Sequence, residues 1–250
     1  MSDNIFISAY HGGLGDNLQF STLPEMFSKQ GKKVYVWSQS YFRNQEIFDL
    51  VWGKNPYILG IKDGEWNAGD APVIGHENIT GNCISNWEVL HGLEPTNLYP
   101  KIYYTPSKIE GLENTMLVDL SSISTVYDNE ISEHVKKFQL ENPNLTFRYV
   151  RFMKNLNPPK RSPVAHDGVF RQYSAELSEF VDIYNIFQYC DVMFSSHGII
   201  SLHNGASHLS SAIKEYAPDL KSVCLIPHEQ YENNKDRALF IFDNVEYIMV

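Results

Sequence analysis

Residues 4–37 constrain the fold more than any other stretch. Asn4-Ile-Phe-Ile-Ser-Ala9 is a short apolar run of strand type, and His11-Gly12-Gly13-Leu14-Gly15-Asp16 follows it directly. A helical pattern then runs from Asn17 to Lys29, with Leu23, Met26 and Phe27 on one face. Pro24 must kink that pattern or restart it as a first-turn residue. Gly31 is a good helix stop, and Val34-Tyr-Val-Trp37 reads as a second strand. Strand, glycine turn, helix and strand in this order form a βαβ unit, which implies a parallel sheet with right-handed crossovers.

The following sixty residues carry weaker signals. Gln45–Val51 reads as a short helix, Trp87–His91 as the start of another, and Pro56, Gly60, Gly64, Gly69 and Pro72 punctuate loops. Pro95, Pro100 and Pro106 surround an extended Ile102-Tyr-Tyr104, the pattern of a connector. A second α/β series then begins: strand Met116–Leu120, polar loop Ser121–Tyr127, helix Asp128–Leu140, strand Phe147–Val150 and a proline-rich loop Asn155–Asp167. Phe180–Tyr189 repeats the helical period through Ile183, Ile186 and Phe187, and Val192-Met-Phe194 reads as a strand. Helix His208–Tyr216, strand Val223–Pro227, and strands Leu239–Phe242 and Val245–Met249 complete the series. The expected organisation is two α/β domains, residues 1–105 and 106–250.

Composition narrows the function classes. With 250 residues, 43% hydrophobic and 20% charged, the chain can bury a core, which excludes disorder, collagen and coiled-coil rods. Lys plus Arg is 20 against 30 for Asp plus Glu, a formal charge of −10, so no nucleic-acid partner is expected. The three cysteines (Cys83, Cys190, Cys224) are odd in number and lack C-x-x-C spacing, against a disulfide framework or a zinc site. Met1-Ser2-Asp3-Asn4 is no basic leader and there is no run of about 18 apolar residues, so no transmembrane segment and a cytoplasmic location are expected.

Two segments carry chemistry. The first, Gly12–Asn17, is not a dinucleotide fingerprint, because Leu18 occupies the third glycine position, and no Gly-Lys-Ser/Thr makes it a P-loop. It is a turn that lets a ligand approach the backbone, with Asp16 at the helix entry. The bland alternative for Asp16 is a plain N-cap. The second, His197–His208, ends in Asn204-Gly205-Ala206-Ser207-His208 at a helix start, where N–H groups and an imidazole suit a phosphate. Its blander reading is a turn at Asn204-Gly205 and a half-buried His208. Histidines at 197, 203 and 208 match no zinc spacing. Arg148, Arg151, Lys154, Lys160, Arg161 and Arg171 form a basic cluster that is either a solvated loop or a phosphate clamp, with Arg148 and Arg151 the better two. Neither G-x-S-x-G nor H-E-x-x-H occurs.

Gly12-Gly13-Leu14-Gly15-Asp16 followed by Phe20-Ser-Thr-Leu23-Pro24 resembles the opening motif of the heptosyltransferase family of GT-B glycosyltransferases. Asn204-Gly205-Ala206-Ser207-His208-Leu209 with Ala212 resembles that family's C-terminal Gly-x-x-His-Leu donor motif. The resemblance covers about thirty residues, in the right order and in separate halves. It implies an α/β GT-B fold of two Rossmann-like domains facing across a cleft, acceptor on the first and nucleotide-sugar on the second. It also implies an inverting, metal-independent glycosyltransferase that uses no cofactor. Its partners would be a nucleotide-sugar donor and a saccharide or other hydroxyl acceptor. Asp16 becomes the candidate general base. Gly13, Gly15, Asn17, Ser121, Ser122, Ser124, Asn204, Gly205, Ala206 and His208 become the substrate-binding candidates. Two departures stand out: His203 replaces an acidic residue, and the loop Ser121–Thr125 lacks the family's lysine. Rival readings are a nucleotide-sugar epimerase and a catalytically silent nucleotide-sugar-binding protein.

Overall fold

The computed structural model describes residues 3–69, 82–122, 129–154, 179–235 and 241–250. They form two compact units, one on residues 3–104 and one drawn from residues 105–233 and 243–250; the described residues of 234–242 cluster with the first.

The first unit starts as the βαβ pattern requires. Strand β1 (Asn4–Ser8) leads to helices α1 (Leu14–Leu18) and α2 (Leu23–Lys29) and then to β2 (Lys33–Trp37), parallel to β1. The helical pattern is therefore two helices, and Pro24 sits in the first turn of α2, where a missing N–H leaves no bond unmade. Helix α3 (Gln45–Phe48) runs into a wide turn, Asp49–Gly53. Two strands lie where loops were expected, β3 (Ile58–Lys62) and the two-residue β4 (Ala68–Gly69), and α4 (Cys83–Leu90) follows. Glycines inside both strands hid their apolar pattern. The sheet order is β3-β2-β1-β4, parallel throughout. Leu18, Leu23, Val34, Val36, Trp52 and Trp87 are its core, with the Phe20 and Trp87 rings 4.7 Å apart.

The extended segment around Ile102 is held to this unit by polar contacts. Lys101 N donates to Ser21 Oγ at 2.8 Å, and Glu25 receives Lys101 Nζ at 2.8 Å, Tyr103 OH at 3.0 Å and Lys29 Nζ at 2.7 Å. Burial alone would raise the Glu25 pKa. The bonds from Lys101, Lys29 and Tyr103 outweigh it and hold the carboxyl at about 2.

The second unit is a six-stranded sheet, parallel throughout, in the order β10-β9-β8-β5-β6-β7. Its elements are β5 (Thr115–Asp119), α5 (Asn129–Glu141), β6 (Thr146–Phe152), β7 (Phe180–Ile183), α6 (Ile186–Ser195), β8 (Gly198–Leu202), α7 (Gly205–Ile213), β9 (Lys221–Ile226), α8 (His228–Lys235) and β10 (Glu246–Met249). Counted from β5, the order is 3-2-1-4-5-6 read backwards, the doubly wound arrangement of dinucleotide-binding sheets. Met116, Val118, Ile200, Leu202, Val223 and Leu225 line one face of the sheet, packed with Ile131 and Val135 of α5.

Three expectations for this unit are corrected. Phe180–Tyr189 is not one helix: Phe180–Ile183 is edge strand β7, and Asn185 caps α6 by accepting from Gln188 N at 2.9 Å. Val192–Phe194 lies inside α6, and the strand that follows is β8, buried at all five positions. Short apolar runs do not by themselves distinguish strand from helix, so periodicity could not separate these pieces. Ile241 and Phe242, the described part of the expected strand Leu239–Phe242, are in no strand, while β10 occupies most of Val245–Met249. The expected loop Asn155–Asp167 lies outside the described residues.

Candidate functional site

In the first unit the strand order reverses between β1 and β4, so the loop leaving β1 occupies the position where doubly wound sheets bind ligands. That loop is the glycine turn. Gly12 has φ +71°, and a Cβ there would lie 2.5 Å from Tyr41 Cδ1. The loop after β2 is laced to the turn: Tyr41 N donates to Ala9 O at 2.7 Å and Arg43 N to Gly12 O at 3.0 Å. Glycine at position 12 is thus required by both conformation and space.

Asp16 is not an N-cap. It is the third residue of α1, and its Oδ2 accepts from Gly13 N–H at 3.1 Å, the acidic half of a capping box. A Cβ on Gly13 would lie 2.5 Å from that oxygen and 3.6 Å from the Arg43 guanidinium carbon. The half-buried carboxylate is therefore fixed by backbone on one side and shares its surroundings with a guanidinium. Gly15 is buried within α1. Asn17 faces inward: its amide donates to Gly13 O at 2.7 Å and its oxygen accepts from Trp52 Nε1 at 2.6 Å. Its side chain holds the turn's shape.

In the second unit the order reverses between β5 and β8, and the segments leaving these strands converge. Asp119, the last residue of β5, is buried. Its Oδ1 accepts from Ser121 N at 2.8 Å and Ser121 Oγ at 2.5 Å, and its Oδ2 accepts from Tyr189 OH of α6 at 2.5 Å. Burial pushes the Asp119 pKa up against the pull of these donors. The Ser121 carbonyl in turn accepts from Asn204 Nδ2, the N-cap residue of α7. Asn204 Oδ1 caps Ala206 N at 2.8 Å, and Asn204 O accepts from Ser207 Oγ at 2.8 Å and His208 Nδ1 at 2.7 Å. A carbonyl only accepts, so His208 carries its proton on Nδ1. Burial, and next the neighbouring His203, hold the His208 pKa at about 3, so the imidazole is neutral. His203 is buried beside it, ring centroids 6.1 Å apart, with Nδ1 2.9 Å from Gln230 Nε2.

The structure therefore gathers Ser121, Ser122, Asn204, Gly205, Ala206 and His208 at the carboxyl ends of β5 and β8, and Gly13, Gly15, Asp16 and Asn17 at the end of β1. Ser124 lies outside the described residues. Arg148 and Arg151 form no clamp. Arg148 Nε pairs with Glu179 at 3.0 Å, and Arg151 grips Asp182 at 2.6 and 3.0 Å, tying β6 to β7. Lys160, Arg161 and Arg171 lie outside the described residues. Among the described residues no group of three or more His, Cys, Asp or Glu could hold a metal ion, and no helix is long and apolar enough to cross a membrane. Sequence reasoning missed Asp119, Tyr189 and Arg43. For Asp119 a signal existed, a single acid closing the apolar run Met116-Leu-Val in a central strand.

No known sequence family matches the chain, and no curated protein matches it by sequence. Solved structures do match in fold. The iron-containing dodecameric glycosyltransferase TibC from enterotoxigenic E. coli H10407 is 16% identical over 88% of this chain and 57% of its own, with a TM-score of 0.56. The dodecameric iron-containing heptosyltransferase TibC in complex with ADP-D-beta-D-heptose superposes at a TM-score of 0.62, with 14% identity over 98% of this chain and 61% of its own. E. coli heptosyltransferase WaaC with ADP gives a TM-score of 0.50 and 9% identity, covering 95% of this chain and all of WaaC. The chain thus spans about 57–61% of the length of the TibC structures. In fold, this chain is a two-unit α/β protein of the GT-B type seen in the heptosyltransferases TibC and WaaC.

Proposed function

We propose that the chain is an inverting glycosyltransferase that moves a sugar from a nucleoside-diphosphate donor to an acceptor hydroxyl. The observation that carries this reading is the second unit's switch point, where the capped start of α7 meets the serine loop after β5. The first backbone N–H groups of a helix point along the axis at its start and carry positive partial charge. A diphosphate bound there is stabilised as it leaves, by fixed donors that need no reorganisation and no metal. His208 contributes by holding Asn204 in place; it is neutral, with its N–H turned to the Asn204 carbonyl, so it adds no positive charge. The structural neighbours solved with ADP and with ADP-heptose support a nucleotide-sugar as the donor class.

In the first unit, Asp16 is the general base that takes the proton of the attacking acceptor hydroxyl. Gly13 N–H holds one carboxylate oxygen at 3.1 Å, which fixes the direction of the other. Inversion follows from a single displacement: the acceptor oxygen attacks the anomeric carbon from the face opposite the departing diphosphate, with its proton passing to Asp16. The protein acts in the cytoplasm, and its acceptor is a saccharide or another hydroxyl compound.

The test is a thermal-shift and turnover panel with ADP-, UDP-, GDP- and dTDP-sugars. One of them, at about a hundredfold its Kd, should add about 2.7 kcal/mol of stability. Asp16→Asn should then cut turnover by about 10²- to 10⁴-fold with nucleotide affinity unchanged. Nucleotide binding without turnover in the unmodified protein would favour the silent binding protein, and binding to none of the four would end the proposal.

A further inference from the structure

The Asp119 carboxylate has no place in the chemistry proposed above. It is 1% exposed, closes the central strand β5, and spends its oxygens on three donors. A buried acid costs several kcal/mol to desolvate unless it is well bonded, so its presence at the end of a strand buried throughout needs a reason. The contacts supply one. Both donors of Ser121, its N–H and its hydroxyl, turn back onto Oδ1, which folds the backbone after β5 into a tight turn. That turn leaves the Ser121 carbonyl aimed at Asn204 Nδ2. Asn204 then uses its oxygen to cap α7 at Ala206 N. A continuous bonded chain therefore runs from Tyr189 on α6 through Asp119 and Ser121 to the first turn of α7.

We infer that Asp119 is a positioning residue for the anion-binding start of α7, acting through Ser121 and Asn204, with Tyr189 fixing its second oxygen. The inference rests on the proposed donor site for its consequence, though the coupling itself does not depend on any ligand. It assigns Ser121 a different part from that of a phosphate donor: its hydroxyl proton and its N–H are both committed to Asp119, and its carbonyl orients Asn204. The role asks for an acceptor at Oδ1 and a partner for the Tyr189 hydroxyl. Asparagine meets both demands, since its oxygen can face Ser121 and its amide can donate to the tyrosine oxygen. Alanine meets neither.

The experiment compares Asp119→Ala, Asp119→Asn and Tyr189→Phe with the unmodified chain by two readouts: amide hydrogen exchange and calorimetric binding of ADP. In Asp119→Ala, segment 203–208 should exchange about tenfold faster and the ADP Kd rise about tenfold, the equivalent of losing one buried hydrogen bond. Exchange in the glycine turn, 12–18, should not change. Asp119→Asn should restore both readouts to within about threefold of the unmodified chain, and Tyr189→Phe should show the same pattern at smaller amplitude. Unaltered exchange at 203–208 in both Asp119→Ala and Tyr189→Phe overturns the inference. So does an acceleration spread evenly over β8, β9 and α7, which marks a merely structural residue, or an asparagine variant as impaired as alanine. Should the unmodified chain bind no ADP or other nucleoside diphosphate, the functional proposal fails and the exchange comparison still decides the coupling.

Discussion

Trp52 Nε1 donates to Asn17 Oδ1 at 2.6 Å, so the wide turn after α3 reaches beneath the glycine turn and grips it from inside. Both residues are almost fully buried, and the Asn17 amide passes the grip on to the Gly13 carbonyl at 2.7 Å. Asn17→Ala would leave a buried indole N–H without its acceptor. We expect a loss of about 1–3 kcal/mol in denaturant unfolding. A variant as stable as the parent would show that the turn is held by its backbone alone.

Gly13 is a second tight position in the same turn. A methyl group there meets Asp16 Oδ2 at 2.5 Å, so Gly13→Ala must push the carboxylate off its backbone donor. On the proposed function, the expected result is a drop in kcat of at least about tenfold with the nucleotide Kd unchanged, because the proposed donor residues belong to the other unit. Full activity in this variant would remove Asp16 from the reaction.

Acid titration reports on Glu25. Its carboxyl sits at about 2, below its ordinary value of 4.5, because Lys101, Lys29 and Tyr103 outweigh burial. A depressed pKa in the folded state contributes stability that is complete above pH 4.5 and fades as pH falls through about 2. Glu25→Gln should lower stability at neutral pH and flatten the stability profile between those limits. An unchanged slope over that interval would mean the unfolded chain keeps the same contacts.

His208 titrates in a higher window. Burial, with His203 next, holds its pKa at about 3 against an ordinary 6.5. The neutral ring is the folded form, so stability is complete above pH 6.5 and declines as pH falls towards 3. In His208→Gln the side-chain amide can still donate to the Asn204 carbonyl, and the loss of stability over this interval should shrink. Chemical denaturation at several pH values measures it directly.

How much of this was legible in the sequence differs between the units. The βαβ opening was readable because β1 and β2 are short, bounded by glycine or polar residues, and separated by helices with one apolar face. Pro24 left a choice between a kink and a restart, and helix geometry resolves it, since proline fits the first turn without losing a bond. The second unit misled at Phe180–Phe194. There β7 passes to α6 within two residues and both are apolar, so only Asn185, a capping residue, marked the junction. The chemistry-bearing segments stood out because glycine and asparagine are conspicuous at helix starts. Asp119 did not, because its meaning depends on Tyr189, seventy positions away, and on a strand order that no local pattern encodes. Arg151 stood open between a solvated loop and a phosphate clamp, and only its neighbour across the strand, Asp182, decides between them.

The all-parallel arrangement of the second unit also gives that unit two unlike ends, one carrying the proposed donor residues and one carrying only the turns that enter the strands. Every strand there arrives at the same edge, so the turns that enter strands occupy the other. Gly111, just before β5, has φ +82° and open space where a Cβ would stand, and the turn Asn142–Leu145 before β6 is closed by a single backbone bond at 3.1 Å. An affinity tag, a fluorescent label or a new pair of chain termini placed at 142–145 would sit a strand's length, about 20 Å, from the bonded start of α7. The second unit can thus be labelled at its strand-entry end without altering the residues of the proposed donor site.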